Sequence, residues 1–152
     1  MSTDEIYNFL LVDDQVATAG QPTAEQLASV RDDGYQVVVN LAPVDERSEA
    51  VDEAATVKSL GMTYHYLPVP WDDPRPEHFR EFVEIMDGVG TDKVFVHCAA
   101  NYRVTAFYSL YASQRRGWSD AQADELMAKI WGEAPTQQMD DAWRGFVEAV
   151  RG

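Results

Sequence analysis

Two β-branched runs constrain this chain more than any other feature: "YQVVVNL" (35–41) and "KVFVH" (93–97), each leading towards a stretch with helical character. Apolar runs without polar alternation suit strands buried on both faces, and such strands occur in parallel sheets covered by helices. The segments between them agree. "PTAEQLASVRDDG" has Thr23 and Gln26 at capping-box spacing, Leu27 and Val30 on one face, and Gly34 as a stop. A helix is expected from about Glu49 to Leu60, with Asp45 to Glu53 as its solvated, acidic start, and "MTYHYLPV" is the next strand. After the loop "PWDDPRP", the stretch "EHFREFVEIMDGV" puts Phe79, Phe82, Val83 and Met86 at helical spacing. "VTAFYSLYASQRR" is a helix closed by Gly117.

At the ends of the chain, "IYNFLLV" and "VATAG" are expected to be short strands around the Asp13–Asp14 turn. Two more helices are expected after Gly117, one opened by Ser119 and Gln122, the other by Pro135 and Thr136. The sum is an α/β fold: a central, mostly parallel sheet of about four to five strands flanked by helices, with a helical C-terminal third. With 152 residues, no internal repeat and no low-complexity tract, a single domain over 1–152 is the simplest organisation.

Charge narrows the partners. Twelve basic against 26 acidic residues give a formal charge of −14, which argues against nucleic acid and anionic membrane surfaces. Lysine is confined to Lys58, Lys93 and Lys129. The N-terminus carries acids where a signal peptide carries bases, so a soluble cytoplasmic protein is expected. One cysteine excludes an internal disulfide and a Cys-rich zinc site, and His65, His78 and His97 lack metal-ligand spacing. No cofactor or metal is implied, and the oligomeric state is left open.

That single cysteine, Cys98, ends the second β-branched run, in "VFVHCAANYRVTAF" (94–107). In open parallel sheets, ligands sit beyond the carboxyl ends of the strands. A helix begins directly afterwards, and its free N–H groups make an anion site that favours thiolate over thiol. Arg103 adds a fork suited to phosphate oxygens. A thiolate beside a phosphate cradle is the equipment of a cysteine-dependent phosphatase.

"VHCAANYRVT" resembles the signature of the protein tyrosine and dual-specificity phosphatases. Most of the chain is similar to a bacterial branch of that superfamily, the beta-lactamase-hydrolase-like phosphatase domains, through "AGQP" (19–22), "PVPWDDP" (68–74) and "HCAAN-x-R". The resemblance implies a tyrosine-phosphatase-like fold and a phosphorylated substrate, protein or small molecule. Cys98 would attack phosphorus, and Arg103 with the backbone amides of Ala99, Ala100, Asn101 and Tyr102 would bind the phosphate oxygens. Asp72 or Asp73 would be the general acid, with Asp72, directly after Trp71, favoured. The alternative reading is that both acids are N-terminal decoration of the next helix. His97 would orient the loop, or is a satisfied core histidine. Thr105 would assist breakdown of the phosphoenzyme. Tyr102 lines the pocket mouth or packs on Trp71, and Trp118, Trp131 and Trp143 serve packing.

The match departs from the superfamily at one point. Its usual signature has five residues between cysteine and arginine, then Ser or Thr; here four intervene and Val104 follows Arg103. One residue of shift on a helix turns a side chain by about 100°. The usual glycine of the loop is Asn101, a residue that tolerates a left-handed backbone. A four-residue gap also resembles rhodanese-type sulfurtransferases, which would carry a persulfide on Cys98. A third reading is a pseudophosphatase that binds phosphate without turnover.

Overall fold

A computed structural model describes residues 2–43 and 52–152. Among the described residues five strands form one sheet in the order β1-β2-β5-β3-β4. They are β1 Leu10–Leu11, β2 Val16–Ala19, β3 Val37–Asn40, β4 Thr63–Tyr66 and β5 Val94–His97. β5 is central, parallel to both β2 and β3; β4 is parallel at one edge, and β1 closes the other edge antiparallel. Every residue of β2, β3 and β5 is buried, as their unbroken apolar character requires.

The helices are α1 Ala24–Asp32, α2 Glu53–Ser59, α3 Pro76–Val89, α4 Tyr102–Arg115, α5 Asp120–Trp131, α6 Pro135–Gln138 and α7 Asp141–Arg151. Strand alternation divides the core in two. Val16, Val37, Val39, Val94 and Val96 face the layer of α3, α4, α5 and α7. Ala17, Ala19, Val38 and Phe95 face α1 and α2, where Leu27, Val30 and Val57 meet them. Both expected capping boxes form, at Thr23/Gln26 and at Ser119/Gln122.

Helix α4 carries the Cys98 loop at its first turn, so its anchoring sets the position of that loop. Residues Val104 through Ala112 are all buried, so it is a core helix with no solvent face over that span. Phe107 anchors it: its ring stacks on Phe146 at 4.9 Å and meets Phe82, Phe79 and Trp143 edge-on. Aromatic pairs of this kind add about 0.5–1.5 kcal/mol each beyond burial.

Three expectations need correction. The strand over 6–12 shrinks to Leu10–Leu11, because Asn8 takes a left-handed backbone (φ 52°) that ends extended structure. The helix expected from Pro135 stops after one turn; Asp140 then caps the Trp143 amide and starts α7, so three helical segments follow Gly117. Glu53 is not a solvated helix start but is buried at the first position of α2. The rest of the expected acidic start, up to residue 51, lies outside the described residues.

Candidate active site

The alternation that organises the sheet also organises the site. His97, the last residue of β5, shares the Phe95 face and points towards α1 and α2, with the two rings 5.9 Å apart. Cys98 continues to the opposite face and joins the α3/α4 core, 1% exposed. A strand end thus delivers histidine to one layer and cysteine to the other.

Residues 98–101 then turn into α4. Asn101 occupies the left-handed region (φ 73°, ψ −2°) at the N-cap, the conformation that the loop's usual glycine would supply. The loop's carbonyls are taken up by the scaffold. Ala99 O accepts from Gln21 N (2.9 Å), Ala100 O from Asn8 Nδ2 (3.0 Å), and Asn101 O from Thr105 N (3.0 Å) and Oγ1 (2.9 Å). The amides of Ala99, Ala100, Tyr102 and Arg103 have no protein acceptor among the described residues. Carbonyls held outward and amides left free make an anion cradle at a helix N-terminus.

Much of the scaffolding comes from the segment 7–22. Cys98 N donates to Ala19 O at 3.2 Å, and Gly20 bridges to Ala100. A Cβ at Gly20 would sit 2.7 Å from Ala99 O and 2.9 Å from the Tyr7 ring, so only glycine allows this approach. Asn8 and Asn101 clamp each other: as Asn8 donates to the loop, Asn101 Nδ2 donates to Asn8 O at 2.8 Å and to Thr18 Oγ1 at 3.1 Å. The "AGQP" segment is therefore the loop's support.

On the open side, Arg103 Nε donates to Val69 O at 2.8 Å, and its guanidinium carbon lies 5.3 Å from the Trp71 ring centre. The arginine is tied to the loop that bears the acids. Trp71 is 41% exposed, stacks on Trp131 and packs on Trp143 and Tyr102. Two indole N–H groups fix the backbone: Trp143 Nε1 donates to Trp71 O (2.8 Å) and Trp131 Nε1 to Tyr102 O (3.0 Å). Tyr102 thus packs on Trp71, and the C-terminal tryptophans do more than fill the core.

The two aspartates differ. Asp73 pairs with Arg75 at 2.8 Å in an exposed bridge, whereas Asp72 makes no hydrogen bond or ion pair among the described residues. Thr105 is buried, and its hydroxyl proton goes to Asn101 O, with Tyr102 O also near at 3.2 Å. His97 Nε2 lies 2.6 Å from Glu53 Oε2, and its Nδ1 3.2 Å from Cys98 O. His78 serves α3 by accepting from Arg75 N. No group of three or more metal-ligating side chains occurs among the described residues. Sequence reasoning missed Asn8, Gly20 and Gln21 as loop supports and Glu53 as the partner of His97. Only "AGQP" carried a signal in advance.

No family model matches the chain. A DUF442 protein of Shewanella putrefaciens CN-32, provisionally described as a phosphatase, has the same fold at a TM-score of 0.84, with 31% identity over 97% of this chain and 93% of that one. TpbA of P. aeruginosa, solved in complex with pTyr, shares the fold at a TM-score of 0.71 and 17% identity, covering 99% of this chain and 91% of that one. Among curated sequences, a beta-lactamase hydrolase-like protein of Xylella fastidiosa is 24% identical over 105 residues, or 65% of this chain. The matched stretch is only 23% of that relative's length, so the chain corresponds to a minor part of it. The fold is that of the tyrosine-phosphatase-like phosphatases. No helix among the described residues is long and apolar enough to cross a membrane.

Proposed function

Because the chain belongs to the protein tyrosine phosphatase superfamily, in the branch of the DUF442 proteins, we propose that it hydrolyses phosphate monoesters through a phosphocysteine at Cys98. The observation that carries this reading is the orientation of the loop after β5. Its carbonyls are engaged by the scaffold, the amides of Ala99, Ala100, Tyr102 and Arg103 are free among the described residues, and Arg103 stands beside it.

Cys98 Sγ attacks phosphorus in line with the ester oxygen, forming an S–P bond as the O–P bond breaks. The free amides of Ala99, Ala100, Tyr102 and Arg103, with the Arg103 guanidinium, hold the equatorial oxygens as charge shifts. Asp72, exposed and unpaired, gives its proton to the leaving oxygen and then takes one from the water that cleaves the thiophosphate, restoring Cys98 and releasing phosphate. Asp73 is the weaker candidate for this role because Arg75 holds it. Thr105 can assist the second step only by turning its hydroxyl away from Asn101 O. TpbA's pTyr complex makes an aryl phosphate the natural first substrate to offer.

The sulfurtransferase reading rests on the four-residue gap. It gives no role to the tie between Arg103 and the loop carrying Asp72, which is why phosphoryl transfer is preferred. Hydrolysis of an aryl phosphate in excess chelator, with Cys98→Ser alongside, tests the proposal. Turnover by the wild type alone is expected. Sulfur transfer from thiosulfate to cyanide without phosphate release would support the alternative, and oxyanion binding with neither activity would indicate a pseudophosphatase.

A further inference from the structure

Behind the Cys98 loop lies a buried ionisable pair that the transfer steps do not touch. The side chains of His97 and Glu53 are 0% and 1% exposed and meet at 2.6 Å. Glu53 does not stand alone. Its other oxygen, Oε1, accepts from Gln21 Nε2 at 2.8 Å, and Gln21 N in turn donates to Ala99 O of the loop. The Tyr64 hydroxyl, which accepts from Asn40 Nδ2 at 3.1 Å, also faces this carboxylate. Burial, and less strongly the Glu53 carboxylate, push the Tyr64 phenol well above its ordinary range, so it remains a donor.

The hydrogen positions follow from which atoms can only accept. Cys98 O has no hydrogen to give, so the Nδ1 of His97, 3.2 Å away, must carry one. Nε2 then shares a single proton with Glu53 Oε2, on whichever atom it rests. The carboxylate suits either arrangement. An apolar residue at position 53 would leave the buried Nε2 without a partner, so that only the Nδ1 contact with Cys98 O would hold the ring. The partner of the second ring nitrogen orients a functional histidine.

We propose that Glu53 is a positioning residue for the Cys98 loop: from Nε2 it holds the His97 ring where Nδ1 meets the Cys98 carbonyl, and through Gln21 it braces the next peptide at Ala99. Two bonds from one buried carboxylate thereby orient the first two peptides of the anion cradle. The consequence for turnover rests on the phosphatase reading; the consequence for the histidine does not.

The test is long-range proton–nitrogen NMR on histidine-labelled protein, where His65→Gln and His78→Gln identify the His97 signals. Wild type is expected to hold a hydrogen on His97 Nδ1, as its contact with Cys98 O requires. In Glu53→Leu the His97 ring loses its Nε2 partner, so its ring nitrogen signals should shift and broaden. Phosphate and vanadate should bind more weakly, and kcat on an aryl phosphate should fall about 10- to 100-fold, as when an outer partner of a metal-bound histidine is removed. Glu53→Gln can donate its amide to Nε2 while its carbonyl takes the Gln21 donor, so it should keep the Nδ1 hydrogen and the wild-type ring placement and restore most of the turnover. A wild-type His97 without a hydrogen on Nδ1, or an unchanged His97 signature in Glu53→Leu, would overturn the proposal. Should Glu53→Leu not fold, Glu53→Gln decides, since loss of its Nδ1 hydrogen contradicts the scheme. A wild type that binds phosphate but hydrolyses no ester would defeat the proposed function while leaving the histidine result to judge this one.

Discussion

The two sides of Cys98 are built from different materials. Behind it, the anion loop is held by hydrogen bonds with Asn8, Ala19, Gln21 and His97, and by a glycine with no room for a methyl. In front, the loop of Asp72 is held mainly by ring packing among Trp71, Tyr102, Trp131 and Trp143, with side-chain hydrogen bonds to the carbonyls of Val69 and Trp71 and a backbone bond from Val69 N to Leu41 O. Directional bonds fix backbone orientation, which an oxyanion cradle needs. Ring packing fixes a position while leaving the acidic side chains exposed to solvent and substrate. Arg103 joins the two sides, which offers a physical use for an arginine one residue nearer the cysteine than the superfamily's usual signature puts it.

Substitutions can break each side separately. The largest effect is expected from Cys98→Ser, which should abolish hydrolysis while the protein keeps its fold by circular dichroism. Next, Arg103→Ala should lower kcat on the order of 10²–10³-fold, the loss typical of one oxyanion donor, and should also loosen the Trp71 loop. Tryptophan fluorescence would register that second effect, and Arg103→Lys would not repair the fork. Asp72→Asn is expected to cost about 10²-fold in kcat, at the lower end for a general acid, whereas Asp73→Asn should cost far less. Equal losses would remove the distinction drawn from the Asp73–Arg75 pair.

Gly20→Ala separates stability from catalysis. A methyl 2.7 Å from Ala99 O must move the loop or the Tyr7 segment, so a destabilisation of about 1–3 kcal/mol is expected, together with weaker vanadate binding. The smallest effect is expected from Trp143→Phe, which keeps a ring but leaves Trp71 O without its donor. It should cost about 0.5–1.5 kcal/mol in chemical denaturation and alter kcat only slightly. If Trp143→Phe harmed catalysis as much as Gly20→Ala, the contrast between the two sides would be wrong.

The sheet is legible in the sequence because unbroken runs such as Val37–Asn40 and Val94–His97 leave few places for a strand except the middle of a parallel sheet. The loop is legible because cysteine, helix start and arginine lie within six residues of one another. Asn101 reads as a left-handed turn residue and is one, since that tolerance belongs to the residue itself. Glu53 is not legible: it lies 44 positions from His97, amid acids that read as solvated, and only folding brings α2 against the end of β5. Asn8 is hidden in an apolar run that reads as strand until its backbone turns left-handed. The second break in the C-terminal helices is hard to see because the Asp140 cap lacks the glutamine that completes the box after Ser119.

The central claim is a covalent one, and mass spectrometry of the acid-quenched enzyme tests it most directly. During turnover of an aryl phosphate, the peptide bearing Cys98 should gain one phosphoryl group, more so in Asp72→Asn if breakdown slows, and not at all in Cys98→Ser. Hydrolysis that proceeds with Cys98 unmodified, or a Cys98 peptide that gains sulfur from thiosulfate and never phosphate, would contradict the account.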